Sequence, residues 1–259
     1  MVGGVRHNFV NDIGDYAKYA LLRALCASSQ GTAHLGIIWY LTDHIEHNND
    51  GRKRAHLLTA GWEDLDPDLL TTMRRIEGAV RTRDQLNVNL IETADILPPD
   101  TAYFSEPVPR VRGTAAERIS ERSAWFERAR KAMARSNLVF LDPDNGLAVR
   151  SVPVTSPQSN KYATAAEIAA LLETGSGVVL YQHGSRMTWQ AQRQDICIRI
   201  AAATDLDLVI RTLRFGAFGA RAFFCVTGDR EMAAVIEGGF TRVRHQVAAW
   251  DKSSYLLIE

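Results

Sequence analysis

One short segment constrains the fold more than any other: an apolar run at 138–141 followed by Asp-Pro-Asp-Asn-Gly at 142–146. An apolar run of this kind, bounded by turn residues, is typical of a buried strand in a parallel sheet. Pro143 lacks the N–H that a strand ladder needs and Gly146 permits a turn, so the strand is predicted to end here with its acidic side chains held rigidly. The same residue types also form ordinary turns, so the segment alone does not decide whether it is a site.

Two further apolar runs, at 35–41 and 177–181, also end in polar residues. The residues that follow are Thr42 and Asp43 after the first run, and Gln182 and His183 after the second. In an open parallel sheet, strands linked by right-handed crossovers have their carboxyl ends at one edge, where ligands bind in the crevice. The sequence therefore predicts that the three strand ends converge on one pocket.

The rest of the chain alternates between helical and strand-like patterns, which favours an α/β fold. Helices are predicted over 16–26, 66–83, 114–135, 163–172 and 187–203, and strands over 88–92, 101–105, 206–215, 221–227 and 254–258. The short glycine-containing link at 216–220 favours an antiparallel hairpin, because a parallel crossover needs about a dozen residues or more. We predict a single Rossmann-like domain over 1–259, with a mostly parallel central sheet, helices on both faces, a C-terminal antiparallel hairpin and a helical insert at about 53–86.

Composition narrows the class of protein. With 46% hydrophobic and 23% charged residues among 259, the chain can bury a large core, and disorder is not expected. The formal net charge is zero, so contact with a nucleic acid would need a local basic patch. The helix predicted at 114–135 carries a series of arginines whose mixed-sign neighbours favour a solvated face over a phosphate-facing patch. These arginines are Arg118, Arg122, Arg128, Arg130 and Arg135.

The spacing of the three cysteines argues against a disulfide-rich or cysteine-zinc protein, and the apolar segments argue against a secreted or membrane protein. No Cys-x-x-Cys pair is present, so neither a cysteine zinc site nor a disulfide framework is expected. No segment has the pattern of a secretory signal or the length of a membrane span. We therefore expect a cytoplasmic protein without membrane contacts, and the sequence leaves its oligomeric state open.

The order of these motifs resembles a known family. The relevant features are Asp15 and Lys18 on the first helix, the strand end at 39–43, the segment 103–105, the Leu-Asp-Pro-Asp-Asn sequence at 141–145 and the late hairpin. Together they resemble the S-adenosylmethionine-dependent N6-adenine methyltransferases that act on large-subunit ribosomal RNA. They are similar, more loosely, to DNA amino-methyltransferases with an Asp-Pro-Pro-aromatic motif, from which the Asp-Pro-Asp-Asn sequence diverges.

The resemblance implies a methyltransferase-like enzyme that acts on an amino or similar polar group of a nucleic acid, nucleotide or small molecule. It implies that Asp142 orients the acceptor, Asn145 holds the substrate, and His183 or Asp144 accepts the released proton. Because an aromatic residue is absent after the motif, an acceptor other than an ordinary flipped adenine is expected. S-adenosylmethionine is implied as the cofactor, and the cofactor-binding residues implied are Lys18, Tyr40, Thr42, Asp43, Asn49, Asp50 and Glu92.

Two alternatives remain open from the residues. Asp142, Asp144 and Asn145, with Asp43 or Asp50, offer the oxygen ligands that Mg²⁺ or Mn²⁺ prefers, and His183 offers a base or a further ligand. That arrangement would indicate a divalent-metal-dependent phosphodiesterase or nuclease. The second alternative is a non-catalytic module on the same scaffold that binds a nucleotide, a nucleic acid or a partner chain.

Overall fold

A seven-stranded sheet forms the centre of the computed structural model. The structure describes residues 10–42, 53–80, 85–110, 113–217, 219–248 and 250–259. The strands of the sheet are β1 (Leu35–Ile38), β2 (Ala102–Phe104), β3 (Leu138–Leu141), β6 (Gly177–His183), β7 (Val209–Phe215), β8 (Arg221–Thr227) and β9 (Leu256–Ile258). Their order across the sheet is β2-β1-β3-β6-β8-β7-β9. A small parallel sheet contains β4 (Gly146–Leu147) and β5 (Tyr162–Ala163).

Strand direction separates two parts of the central sheet. β2, β1, β3 and β6 pair in parallel, so their carboxyl ends lie at the same edge. β8 lies between β6 and β7 and runs antiparallel to both, and β9 runs antiparallel to β7. The predicted α/β class with a mostly parallel central sheet is therefore confirmed.

Helices cover both faces of this sheet. They are α1 (Ile13–Ser28), α2 (Pro67–Ala79), α3 (Asn89–Glu92), α4 (Ala115–Ala132), α5 (Ala165–Leu172), α6 (Trp189–Ala201) and α7 (Arg230–Ala248). Side chains of α1, α2 and α7 pack on one face, and side chains of α4, α5 and α6 pack on the other. Alternate residues of β3 enter the two cores, because successive side chains of a strand point to opposite faces: Phe140 joins the first core and Val139 the second.

Local capping signals explain where several helices begin. Asp12 caps α1 by accepting hydrogen bonds from the backbone N–H groups of Gly14 and Asp15. Thr114 and Thr164 begin α4 and α5 with complete capping boxes, in which the glutamate three residues later bonds back to the cap. Each signal is readable in the sequence because it depends on neighbours within one turn.

One sequence prediction is wrong, and one helix of the structure was not predicted. The segment 88–92 is not a strand, because Asn89–Glu92 forms the short helix α3. The segment after β8, to which the sequence patterns assigned no element, forms the 19-residue helix α7. Two adjacent glycines at 238 and 239 weaken the local helix signal there, and packing against α1 compensates for it. Among the described residues, no helix has both the length and the apolar character needed to cross a membrane.

Candidate active site

A buried ion-pair network joins α1 to the end of β3. Lys18 Nζ lies 2.7 Å from Asp142 Oδ2 and 2.8 Å from Asp15 Oδ1. The side chains of Lys18 and Asp15 are 7% and 5% exposed, whereas that of Asp142 is 18% exposed. Asp142 is therefore the member of the network that a ligand can reach.

The sequence of α1 places this network at the carboxyl edge of the parallel strands. Asp15 and Lys18 are three residues apart, so they lie on the same side of the helix. Asn11, at φ 69°, precedes the helix in a left-handed conformation and donates its N–H to Asp15 Oδ2 at 2.8 Å. Asp15 is thus held by a backbone donor on one oxygen and by Lys18 on the other.

Burial and neighbouring charges set the protonation of this network. Burial lowers the pKa of Lys18, but Asp142 and Asp15 together outweigh it and raise this pKa above its usual value, so the ammonium stays charged. Burial raises the pKa of Asp142, an effect that Lys18 opposes and Asp15 reinforces. Asp12, at the start of α1, has its pKa raised to about 6, mainly by burial and by the charge of Asp15. The edge therefore holds several carboxylates around Lys18, and Arg221 is a further buried cation that acts on Asp12.

A cavity of about 50 Å³ adjoins the ion pair. Its lining includes Lys18, Asp142 and Asp144 as charged groups and Tyr19 and Trp39 as rings. Lys18 Nζ lies 5.5 Å from the centre of the Tyr19 ring and 5.7 Å from that of Trp39, within the range of cation–π attraction. The cavity thus combines a reachable carboxylate with aromatic walls.

Glu92 lies beside the ends of β1 and β2. Its Oε1 accepts a hydrogen bond from Trp39 Nε1 at 2.9 Å and one from Ser105 Oγ at 3.2 Å. The prediction that Glu92 belongs to a strand is wrong, because it ends helix α3. Tertiary contacts nevertheless bring its carboxylate to the predicted edge of the sheet.

The ends of β3 and β6 lie side by side at the carboxyl edge of the parallel strands. That all three polar strand ends form one pocket stays a prediction, since Asp43 lies outside the described residues and His183 is not among the residues lining the Asp142 cavity. The backbone N–H of His183 donates to the carbonyl of Asn145 at 3.3 Å. Gln182 connects the same segments, since its Nε2 donates to that carbonyl at 3.0 Å and its Oε1 accepts from the N–H of Leu147 at 2.9 Å. Gly146 has φ 99°, and a Cβ there would lie 2.2 Å from Gln182 Oε1, so only glycine fits. The Asp-Pro-Asp-Asn segment is consequently tied to the neighbouring strand.

The side chains at the end of β6 provide polar groups near this junction. His183 is exposed, and its Nδ1 lies 3.3 Å from the Tyr181 hydroxyl. Burial raises the pKa of Tyr181, and the charges of Arg221, Asp12 and Asp142 also act on it. Tyr181 therefore stays a neutral hydrogen-bonding group at neutral pH, next to the one histidine predicted for the site.

The other predicted cofactor residues are distributed unevenly. Thr42 is buried, and no described residue gives its hydroxyl a hydrogen-bond partner. Tyr40 lines the cavity, but its hydroxyl donates to Glu167 at 3.2 Å and its ring packs on Trp125, on the opposite face. The Tyr40 hydroxyl therefore donates its hydrogen bond within the protein and not to a ligand in the cavity. Asp43, Asn49 and Asp50 lie outside the described residues.

Several residues of this edge were not among the sequence-predicted site residues. Asp15 stood out in the sequence only as part of the resemblance to a known family, and Asp12 only as a residue before the first helix. An acidic and a basic residue three apart in an otherwise apolar helix nevertheless indicate a buried pair. Trp39 and Tyr181 carry no local signal, because aromatic residues in apolar runs are usually core residues. Arg221, which pairs with His183 across β8 and β6, is buried at 6% exposure and was assigned only to a strand.

Neither a protein-family model nor a curated protein sequence matches this chain. The site is therefore described by its own geometry.

Two further observations bear on what the edge can hold. Within the described ranges, no three His, Cys, Asp or Glu side chains lie close enough together to hold a metal ion. A larger cavity, of about 540 Å³, includes Ala33, which precedes β1, and Asp100, which precedes β2. It therefore lies at the amino ends of the parallel strands, whereas ligands of open α/β sheets bind at the carboxyl ends. Of the two cavities, the smaller one lies at the carboxyl ends and is lined by Asp142.

Proposed function

We propose that this protein is an S-adenosylmethionine-dependent, methyltransferase-like enzyme on a Rossmann-like scaffold. Its acceptor would be an amino or similar polar group of a nucleic acid, nucleotide or small molecule. The observation that carries the proposal is the Lys18–Asp142 ion pair beside a cavity at the carboxyl edge of the parallel strands. Lys18 binds Oδ2 of Asp142, and among the described residues no donor meets Oδ1, so that oxygen can accept a hydrogen bond from a ligand.

The residues at the edge suit the cofactor by their chemistry. The carboxylate of Glu92, fixed between Trp39 and Ser105, is of the type that binds ribose hydroxyls. Asp142 and Asp144 supply negative charge next to the cavity, which complements a cationic sulfonium. The cavity of about 50 Å³ is smaller than typical ligand pockets of roughly 300 Å³ or more, so a nucleoside would extend beyond it.

In the proposed reaction, the cofactor supplies an electrophilic methyl group. Asp142 Oδ1 accepts a hydrogen bond from the acceptor N–H and orients its lone pair, while Lys18 fixes the carboxylate through Oδ2. Asp144, which also lines the cavity, or His183 takes up the proton that the acceptor releases. The hydrogen bonds of Gln182 hold the segment that carries Asp144 and Asn145 against β6.

The divalent-metal alternative receives less support from the same geometry. The Lys18 ammonium already lies 2.7 Å from Asp142, where a metal ligated by that carboxylate would meet a like charge. Asp43 and Asp50, the further ligands that this alternative needs, lie outside the described residues. We therefore keep metal binding as an outcome of the test.

The first experiment measures binding directly. Isothermal titration and thermal-shift assays would use S-adenosylmethionine, its demethylated product S-adenosylhomocysteine, Mg²⁺ and Mn²⁺ in parallel. We expect saturable binding of the two sulfur compounds and a rise in Tm with their concentration, because a ligand that binds only the folded state stabilises it. A response to metal alone would support the nuclease alternative, and no response to either would support a non-catalytic module.

The second experiment tests Asp142. Methyl transfer from radiolabelled cofactor to RNA, DNA and nucleotide pools would be compared between the natural protein, Asp142→Asn and the control Asp100→Asn, whose carboxylate is exposed at the opposite edge of the sheet. We expect Asp142→Asn to lower kcat by about a hundredfold or more while cofactor affinity changes little. Unchanged transfer in this variant would remove Asp142 from the mechanism.

A further inference from the structure

A second polar pocket lies away from the cavity at Asp142, between α4 and the segment 154–159. Its charged lining consists of Arg110, Arg118 and Arg122, and its hydroxyl groups come from Ser156 and Ser159. We call this group the arginine pocket. Among the described residues, no acidic side chain lines it. Ser159 Oγ donates its proton to the carbonyl of Val154 at 2.9 Å, which leaves the guanidinium groups and the Ser156 hydroxyl as donors for a ligand. This is the composition of a site for a tetrahedral oxyanion.

Arg122 is held rigidly at the base of the arginine pocket. Its Nε and Nη2 donate to the two carboxylate oxygens of Glu167 at 2.6 Å and 2.9 Å, and Nη2 also donates to the carbonyl of Tyr162 at 2.8 Å. Its guanidinium lies 5.3 Å from the centre of the Tyr40 ring and 4.9 Å from that of Trp125. These contacts fix the orientation of the guanidinium before any ligand binds.

Two guanidinium nitrogens of this pocket have no hydrogen-bond partner among the described residues. Arg122 is only 5% exposed, and its Nη1 has no hydrogen-bond partner among the described residues. Nε of Arg118, which lines the same pocket, is also buried without a partner in the described part of the chain. The Ser156 hydroxyl accepts from the N–H of Gln158 at 3.2 Å and so keeps its own proton for donation. Buried donors are nearly always paired in folded proteins, so Arg122 Nη1 and Arg118 Nε are available to an oxygen atom of a ligand.

We propose that the arginine pocket binds a phosphoryl group, with one oxygen accepting hydrogen bonds from Arg122 Nη1 and Arg118 Nε. The cavity is about 10 Å³, room for about one water-sized atom, so one oxygen enters and the rest of the group stays outside. Arg110, which is exposed, lies where it can neutralise the outer oxygens. Glu167 cancels the charge of Arg122, and the charges of Arg110 and Arg118 remain for the anion.

The arginine pocket is connected to the strand-edge site through the backbone. Ser159 begins the short 3-10 helix Ser159–Lys161, and the carbonyl of Lys161 accepts from the N–H of Asn145 at 3.0 Å. A phosphoryl group that contacts Ser156 would thus bind a segment that supports the Asp-Pro-Asp-Asn turn. The residues that line the arginine pocket differ from those that line the Asp142 cavity, so phosphate binding does not depend on the methyltransferase proposal.

The test uses inorganic phosphate as the probe, with chloride at matched ionic strength as the reference, in isothermal titration and thermal-shift assays of the full chain. Glycerol 3-phosphate and glycerol, measured in the same way, distinguish a free anion from a phosphate ester. We expect saturable binding of phosphate, and binding of glycerol 3-phosphate but not of glycerol. No saturable response to either phosphate compound would overturn the proposal.

Variants locate the binding. Arg118→Gln should weaken phosphate binding by about tenfold or more, because a charge-assisted hydrogen bond is lost. The matched control is Arg130→Gln on the same helix, where the arginine is paired with Glu127 outside the pocket and the charge change is identical. Equal weakening in both variants would show that only the overall charge matters and would refute the site. Arg122→Lys should also weaken phosphate binding, provided that far-ultraviolet circular dichroism shows an intact fold, because this change also disturbs Glu167. If the fold is not intact, Arg110→Gln replaces this variant, and weaker phosphate binding is again the expected result.

Discussion

At the scale of single residues, Lys18 has the most demanding environment. An ammonium this deeply buried is stable only with carboxylate partners, and it has two, from its own helix and from β3. The pair Asp15 and Asp142 likewise depends on the cation, because the two carboxylates would otherwise repel each other. The three side chains thus stabilise one another as a unit and fix the position of Asp142.

Replacing Lys18 by methionine should therefore destabilise the protein strongly. We expect Lys18→Met to lower the free energy of unfolding by about 3–5 kcal/mol, because two buried carboxylates lose their counter-ion. Urea unfolding at neutral pH measures this change. Lys131→Met, an exposed lysine on α4, is the control and should change stability by less than about 0.5 kcal/mol. A loss for Lys18→Met as small as that of the control would contradict the network.

Asp12 gives a prediction on pH. Its pKa is raised to about 6 in the folded protein from an ordinary value of 3.8, chiefly by burial. An acid with a raised pKa stabilises the fold only while it is protonated, so this contribution is present below about pH 4 and is lost as the pH rises through about 6. Asp12→Asn removes the titration and keeps a good helix cap.

We therefore expect the stability of the natural protein relative to Asp12→Asn to fall by on the order of 2–3 kcal/mol between about pH 4 and pH 7. Urea unfolding of both proteins across this range measures the difference. Parallel pH profiles would show that Asp12 does not titrate there.

At the scale of elements, the crossing of α1 and α7 depends on a glycine. A Cβ at Gly239 would lie 2.6 Å from Leu25 Cδ2 and 2.9 Å from Leu25 Cα, so the helices approach closely only because this side chain is absent. The crossing matters for the site, since α1 carries Asp15 and Lys18. The position of the ion-pair network relative to the sheet consequently depends on this contact.

Gly239→Ala should destabilise the protein by about 1–3 kcal/mol, because the added methyl group overpacks a contact with helix backbone. Gly78→Ala in α2 is the matched control, since a Cβ there meets nothing within 4 Å. It should increase stability by about 0.5–1 kcal/mol, the difference in helix propensity. Thermal or urea unfolding of the two variants tests both signs, and a stabilising Gly239→Ala would refute the close approach.

At the scale of the whole molecule, one sheet joins two cores. Trp62 packs in the core that contains α1 and α7, and Trp125 packs in the core that contains α4 and α5. Neighbouring residues of β3 belong to opposite cores, so the two cores share one sheet. If the helices of one core lost their packing, that face of the shared sheet would be exposed to water. The single domain over the whole chain stays a prediction, which the cooperativity of unfolding tests.

Unfolding should therefore occur in one cooperative transition. We expect far-ultraviolet circular dichroism and tryptophan fluorescence to give the same urea midpoint. Fluorescence would also be recorded for the double variant Trp125→Phe/Trp189→Phe, in which the remaining tryptophans, Trp39, Trp62 and Trp250, all lie in the core that contains α1 and α7. Within this variant, a fluorescence midpoint that differs from the circular dichroism midpoint would show that the two faces unfold separately.

Local sequence patterns determined most of the elements of this fold. The strands at 138–141, 177–183 and 221–227 and the beginnings of α4 and α5 follow from apolar runs and capping residues, which act over a few neighbours. The same locality explains the errors. The segment at 88–92 has an apolar pattern that suits either a strand or a short helix, and the glycines of α7 conceal a helix that packing on α1 stabilises.

The sequence by itself determined which polar residues follow the strands, because turn chemistry is local, and it thereby predicted that β3 and β6 end at a common edge. Only the tertiary structure decided that Lys18 pairs with Asp142, 124 residues away, that Glu92 lies beside Trp39, and that β8 is inserted between β6 and β7. Such contacts depend on the packing of helices on the sheet and on strand order. No periodicity within a segment encodes them, because their energy arises between segments that are distant in the chain.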